Sequence, residues 1–598
     1  MPSVTRRRFA ATARAVSGGS PSARPAGDEA FGTTAEDART ASGVRAGPSR
    51  DGRSTPESDV VSPFAPSGDQ PSAIARCVEL LRDDARKVAC LRGATGTGKT
   101  FVVAHVVDAL TKAKPQPTLV VVPNKTLAAQ VARELRAYLP RKRVELFVSH
   151  FSLYVPESFS KGRYVEKRSA IDHDLDALRH RATKALVETN EAVVVASVSC
   201  LYGLGLPKDY VDARLTLAAG VPTRGGRDAL GETLEKRLLY SECREGGDFV
   251  RSGQWAWASG SSHGQAGAAG ARTLVVWPPY ERAALEISLD VDGALVGFNK
   301  RGDDDGIRVS SAEAEARLTL WPRQHHITPP ERLAAATAAI AREAAERAAE
   351  LRAGGEYIEA DRLEQRVGAD VGLLNEIGWC PGAEHYSRHL GAREPGAPPV
   401  TLLDYLGFPL GDTSPGSSGP GSREWLLVAD ESHVMLPQLR AMHGGDRSRK
   451  QGLLRGGYRL PSALDNRPLR FDEFWARVPK ALLVSATPGE TEAAWCRAGD
   501  FSDANGDANG DANGYANGYE DGNVPNATSG SASHRIDESL GMVDMVVRPS
   551  GVLDPEVTIL PRKEQLPALA AAVRRRAARG EEGARLADGE EEELGDRY

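Results

Sequence analysis

The sequence predicts an α/β fold: a phosphate-loop lobe interrupted by inserted α+β domains and a β-hairpin, with disordered segments at the N-terminus and in an Asn/Gly-rich tract. Three observations carry this. Residues 93–100 read Gly-Ala-Thr-Gly-Thr-Gly-Lys-Thr, a complete G-x-x-x-x-G-K-[ST] loop, directly after the apolar run Val88-Ala89-Cys90-Leu91. A second apolar run, Trp425 to Ala429, ends in Asp430-Glu431-Ser432-His433. A third, Leu482-Leu483-Val484, leads into Ser485-Ala486-Thr487-Pro488-Gly489.

The first element is a strand, loop and helix, because Phe101 to Val107 is helix-compatible. Gly93, Ala94, Thr95, Gly96, Thr97, Gly98, Lys99 and Thr100 form the expected ATP-binding set. The glycines let backbone N–H groups close on a triphosphate, Lys99 reaches its terminal phosphates, and the Thr100 hydroxyl ligates Mg²⁺. Such a loop needs an acid at the end of another buried strand. Asp430 is the expected outer-sphere Mg²⁺ partner, so the metal set is Thr100 and Asp430. Glu431 is placed to orient or deprotonate the attacking water. Asp-Glu after an apolar run also fits a solvated strand end, and its pairing with Lys99 favours the catalytic reading. The hydroxyls of this last segment are expected to link the nucleotide site to whatever the protein moves, and its Thr487 completes a catalytic set of Lys99, Thr100, Asp430, Glu431 and Thr487.

These segments, in this order, resemble the ATPases of helicase superfamily two, which implies a RecA-like, helicase-type lobe. Phe64-Ala65-Pro66-Ser67-Gly68-Asp69-Gln70-Pro71 is similar to that superfamily's adenine-reading segment, with Gln70 bidentate to the base edge and Phe64 stacked on the ring. Val122 to Gln130, Ala196 to Gly205, Tyr386-Ser387-Arg388-His389-Leu390 and Ser462 to Phe471 resemble the UvrB family, the damage-verifying subunits of the bacterial-type excision nuclease. The resemblance runs from about Pro63 to about Leu560. It implies a DNA-dependent ATPase using ATP and Mg²⁺ in nucleotide excision repair. Its partners would be damaged double-stranded DNA, a UvrA-type damage sensor and a UvrC-type incision nuclease.

Composition agrees without leading there. A chain of 598 residues has room for roughly four domains. A net charge of −6 confines any nucleic-acid surface to a local patch. The six cysteines form no C-x-x-C pair, which argues against structural zinc and a disulfide framework. No apolar run approaches the ~18 residues of a membrane span, so no membrane association is expected. Residues 1–55 hold no acid before Asp28, and Arg6, Arg7, Arg8, Arg14 and Arg24 are spread among Ala, Ser and Thr. That is the composition of a plastid or mitochondrial transit peptide, or of a disordered extension on a cytoplasmic protein.

The remaining elements follow in order. The first lobe spans 56–148 and resumes at 401–490, and the stretch between is too long for one ATPase fold. Residues 146–168 alternate apolar and polar around Ser160-Lys161-Gly162, the signature of a β-hairpin, which anchors an inserted DNA-binding region at 149–210. Phe151, Tyr154, Phe159 and Tyr164 supply stacking faces, and Lys161 and Arg163 supply phosphate-binding charge. The same aromatics also fit an ordinary strand core. The resemblance implies a hairpin that wedges between DNA strands, although His150 and Leu153 stand where the family places tyrosines. Residues 211–305 correspond to the family's UvrA-binding domain, and 306–400 form a helical insertion whose helices run from Pro330 to Ile377 with a break at Gly354-Gly355.

Residues 491–540 repeat an Ala-Asn-Gly unit and are expected to be a disordered insertion. Residues 541–598 are expected to begin a second helicase lobe that the sequence as given does not complete, since no Q-x-x-G-R-x-x-R segment appears. Without that lobe's arginine, slow hydrolysis is expected. Two functions therefore compete: an ATP-dependent damage-verification subunit, and a catalytically impaired ATP- and DNA-binding fragment acting as scaffold or competitor. In either case Lys99→Ala is expected to abolish detectable ATP binding while circular dichroism stays unchanged. Fluorescent-nucleotide titration of the two proteins checks this.

Overall fold

Seven short runs rich in Val, Leu and Ala build the central sheet of the computed structural model. The structure describes residues 58–258, 271–301, 317–410, 423–501, 541–549, 551 and 561–578. The Arg-rich N-terminal stretch and the Asn/Gly-rich tract lie outside the described residues. The strands are β1 (Val88–Gly93), β2 (Thr118–Val122), β3 (Val144–Phe147), β4 (Val193–Ser197), β5 (Leu426–Asp430), β6 (Lys480–Ser485) and β7 (Met542–Met545). Their order is β7-β1-β6-β5-β2-β4-β3, and every pairing is parallel. Strands that are apolar at successive positions suit a sheet covered on both faces. One face packs on α1 (Gln70–Arg82), α2 (Lys99–Ala113) and α3 (Lys125–Tyr138), through residues such as Cys77, Val102 and Leu135. The other packs on α4 (His173–Glu188) and on residues that include Trp425, Phe474 and Trp475.

The inserted regions follow. A five-stranded sheet over residues 241–300 has its own core around Leu274, Ile287 and Leu289. Leu215–Ala218 pairs antiparallel with Arg317–Leu320, and Leu217 and Leu320 are buried in that same core. The module therefore closes at residue 320 rather than at 305, because a returning strand completes its core. Next come α5 (Pro330–Ala353) and α6 (Tyr357–Ile377), which bury Ile340, Ala344, Ala348 and Leu351 against Ala360, Leu363 and Val367. The break falls at Gly354-Gly355, where Gly355 takes a φ of +82° that strains any other residue.

Three more expectations need correction. The hairpin is displaced toward the C-terminus: residues up to Phe147 belong to β3, and the paired arms are Phe151–Val155 with Arg168–Ile171 and Ser158–Ser160 with Arg163–Val165. After α7 (Ser432–Arg455), helix α8 (Glu490–Ala498) occupies ground assigned to the disordered insertion. Its reason is local, since the Glu492 carboxylate accepts from Gly489 N at 3.1 Å and Trp495 and Cys496 are buried. Residues Met542–Met545, assigned to a second lobe, are instead the edge strand of the first sheet. Asp544 accepts two bonds from the Arg92 guanidinium at 2.6 and 2.8 Å, and Val543 and Met545 are buried.

Behind the hairpin root, His180 stacks on His325 at 4.1 Å, and the His325 ring bonds the Thr183 hydroxyl. Burial pushes His150 and His180 down to about 4, against which Asp176 acts weakly at 3.7 and 3.8 Å. These rings fold neutral, whereas the unfolded chain binds protons below about pH 6.5. Stability should therefore be intact above pH 6.5 and fall as pH drops toward 4, by about 2 kcal/mol per histidine near pH 5. Urea unfolding at pH 7 and pH 5 tests this, and His180→Gln should flatten the dependence.

Candidate functional site

The phosphate loop leaves β1 at Gly93 and enters α2 at Lys99, with Gly96 and Gly98 in the left-handed region at φ of +84° and +80°. A Cβ on Gly93 would lie 2.9 Å from Thr97 Oγ1 and 3.0 Å from Lys99 Cγ, so the loop is a cradle that only glycine leaves open. The loop is preorganised by its own bonds: Thr97 Oγ1 donates to Ala94 O at 2.8 Å and Lys99 Nζ to Gly93 O at 3.2 Å. Thr95 is exposed, and Thr100 stands half-buried in the first turn of α2. First-turn N–H groups and a lysine converging on one cradle are fit to hold polyphosphate.

Gln70 does something other than expected. Its Nε2 donates to Thr97 O at 2.9 Å and its Oε1 accepts from Ser67 N at 3.1 Å, and the residue is buried. The amide thus braces the loop from behind, fitting because Gly98 has no Cβ, and it does not present a bidentate edge to a base. The Phe64 ring is 77 % exposed, available for stacking.

Asp430 ends β5 beside β6, and Glu431 follows in a left-handed conformation at φ of +48° that starts α7. Burial and the neighbouring Glu431 push the Asp430 carboxyl up to about 6, and the Glu431 N–H and Lys99 only partly oppose them. A carboxylate so destabilised by desolvation and a like charge is fit to receive a divalent cation. Of the two hydroxyls in the segment at the end of β6, that of Ser485 meets the histidine beside the acidic pair and that of Thr487 does not. Ser485 Oγ bonds His433 Nδ1 at 2.8 Å and accepts from Thr487 N at 3.0 Å, while the Thr487 side chain is exposed. His433 Nδ1 is also 3.5 Å from Glu431 Oε2, so the acidic pair reaches β6 through this imidazole.

The hairpin divides the aromatics into two sets. Tyr154 is 49 % exposed and stacks on the half-buried Phe151 at 4.9 Å, beside exposed Leu153. Lys161 and Arg163 lie exposed at the two-residue turn, where Lys161 and Gly162 have φ of +51° and +75°. Phe159 and Tyr164 instead pack against Tyr458, Tyr164 nearly parallel to it at 4.1 Å. Glu157, buried at the hairpin's neck, accepts from Tyr164 Oη at 2.6 Å and Arg459 Nε at 2.8 Å and lies 3.2 Å from Arg366. Burial pushes its carboxyl up, but Arg459, Tyr164 and Arg366 outweigh this and hold it below the usual range. Two residues missed in the sequence connect the regions. Lys125 Nζ donates to Phe151 O at 2.9 Å, and Arg449 Nη1 donates to Glu157 O at 2.7 Å. Lys125 was visible in Pro123-Asn124-Lys125-Thr126, but its partner was not.

The chain is similar to known proteins. A family model described as the UvrB third helical domain matches residues 331–392, and one described as the type III restriction enzyme res subunit matches 64–202. Proteins named UvrABC system protein B are similar over most of the chain. That of Cyanothece sp. is 36 % identical over 528 residues, covering 87 % of this chain and 66 % of its own length. That of Beutenbergia cavernae is 38 % identical over 530 residues, covering 88 % and 63 %, and that of Streptomyces coelicolor 37 % over 525, covering 88 % and 62 %. The chain spans just under two thirds of the length of these curated relatives.

Because the Asp430 carboxyl is raised above its unfolded value of 3.8, its stabilising contribution is present below that pH and lost as pH rises through about 6. Asp430→Asn should therefore raise the Tm of the nucleotide-free protein at pH 7.5, with a stability gain of about 3 kcal/mol. The same substitution should weaken Mg²⁺-dependent ATP binding. Paired thermal scans at pH 7.5 and pH 4 check the sign, since the gain should vanish at the lower pH.

Proposed function

We infer that this chain, which belongs to the UvrB family, is an ATP-dependent subunit that recognises and verifies DNA damage in nucleotide excision repair. The single observation that carries this is the course of α7. The helix begins immediately after Glu431, and at its far end Arg449 bonds Glu157 O while Gly452 leaves room for Phe159 O, which a Cβ would meet. One helix of 24 residues, ~36 Å long, thus spans from the acidic pair to the hairpin neck. A change at the nucleotide edge has a continuous packed route to the hairpin neck at Glu157 and Phe159.

In this reading the protein is an ATPase of the helicase superfamily two type. Lys99 and the loop N–H groups bind the phosphates, Glu431 orients water, and His433 relays the position of the acidic pair to Ser485 on β6. Mg²⁺ held by Asp430 and Thr100 would supply charge neutralisation on the phosphate oxygens. Tyr154, Phe151, Lys161 and Arg163 engage lesion-containing duplex by stacking and phosphate contact. The five-stranded module is the candidate surface for a UvrA-type sensor, and incision belongs to a UvrC-type partner.

The two aromatic sets should behave differently. Tyr154→Ala is expected to weaken binding to lesion-containing duplex by roughly 1–3 kcal/mol, the value of one base–aromatic stack, with an unchanged Tm. Tyr164→Ala should lower the Tm, because it removes the Tyr458 stack and the bond to Glu157. Fluorescence anisotropy with damaged and undamaged duplex, run beside thermal scans, separates them. Equal affinity of Tyr154→Ala and the parent for damaged duplex would return the hairpin to a purely structural role.

A further inference from the structure

The nucleotide cradle is completed by a segment some 450 residues downstream of the loop, and we propose that Arg548 in that segment is a phosphate-binding residue. The proposal rests on the nucleotide-site reading above and adds a second cation to it. Beyond β7 the chain does not leave the sheet edge but is strapped across the loop. Ala94 N donates to Met545 O at 3.2 Å, Val546 N and Val547 N both donate to Asp69 Oδ2 at 2.8 Å, and Arg548 Nε donates to Thr95 O at 2.7 Å.

The strap is pressed close. A Cβ on Gly68 would lie 3.2 Å from Val547 Cγ1, and one on Gly96 would lie 3.5 and 3.6 Å from Arg548 Cδ and Nε. The guanidinium therefore lies over the apex of the loop, at the left-handed Gly96 between Thr95 and Thr97. Arginine suits that position for two reasons. Its planar fork can hold a backbone carbonyl with Nε while its charge stays beside the anion site. Guanidinium also matches phosphate geometry better than an ammonium does. Asp69 fixes the approach. By accepting two successive N–H groups it sets the backbone direction from which Arg548 reaches the loop, and Arg92 of β1 holds Asp544 on β7, four residues earlier. Lys99 approaches from inside the cradle through α2, and Arg548 from outside through the strap.

The test uses the full chain and two ligands, a fluorescent ATP analogue and inorganic tripolyphosphate as competitor, each with Mg²⁺. Arg548→Ala should weaken ATP by about tenfold to a hundredfold, the effect of losing a charge-assisted contact, and should weaken tripolyphosphate by the same factor. Arg548→Lys should recover part of both affinities. Asp69→Ala, which leaves every cation in place, should cost a few-fold by loosening the strap, and it keeps the proposal testable if Arg548→Ala folds poorly. Unchanged ATP affinity in folded Arg548→Ala would overturn the proposal. So would a loss confined to ATP with tripolyphosphate untouched, since the residue would then position the base. If the parent protein bound neither ligand, the nucleotide-site reading itself would fall, and this proposal with it.

Discussion

The phosphate-loop edge hangs on the parallel register of β1 between β6 and β7. Because all seven strands point the same way, their C-terminal ends line a single edge, and the register decides which residues meet there. Arg92 stands opposite Ser485, Asp430 opposite Val484 and Gly93 opposite Met545. Phosphate loop, acidic pair, Ser485 and strap are thus neighbours although they come from residues 93, 430, 485 and 548. β1 is buried along nearly its whole length, so a slip of one residue would strand Val88 to Leu91 in the wrong environment. The apolar core therefore enforces the placement of a polar site whose Asp430 is itself destabilising at neutral pH.

The polar groups at the two ends of α7 show opposite electrostatic solutions. At its start, Asp430 and Glu431 are like charges half-buried together, and the carboxyl of Asp430 is raised. At its end, Glu157 is more deeply buried yet lowered, because Arg459, Tyr164 and Arg366 converge on it. Removing one partner from such a buried cluster leaves an uncompensated charge, which is strongly destabilising. The hairpin neck is a compensated cluster of opposite charges, whereas the acidic pair sets two like charges side by side.

Much of this was legible in the sequence where chemistry is written in contiguous residues. The loop, the acidic pair and the Gly354-Gly355 break between two helices all stand where expected, because glycine conformation, strand ends and helical runs are local properties. Pairings were not legible. Nothing in Ser485-Ala486-Thr487 says which hydroxyl meets His433, since that depends on β5 and β6 being neighbours. Nothing in Val546-Val547-Arg548 says that it crosses a loop 450 residues earlier. The hairpin was found by its alternation, but its aromatics look alike in sequence, and only the position of Tyr458 divides packed Phe159 and Tyr164 from exposed Tyr154. β7 was misplaced for the same reason: four residues after a long polar tract carry too little pattern to reveal their edge.

The division of labour along α7 follows from its own irregularity. Pro437 lies inside the helix, and it lacks the N–H that would bond the carbonyl four residues earlier, which is that of His433. The first turn, carrying Ser432 and His433, is thereby less firmly tied to the rest of the helix than an unbroken one would be. It is tied sideways instead: Ser432 Oγ donates to the buried Glu492 of α8 at 2.9 Å, and His433 bonds Ser485 on β6. The segment that reads the acidic pair therefore belongs mechanically to the sheet. The length beyond Pro437, with Leu439 and Leu453 buried and Arg449 on the hairpin neck, belongs to the packing that holds the hairpin. Pro437 thus marks the boundary between a first turn held sideways by α8 and β6 and a length held by the packing at the hairpin neck.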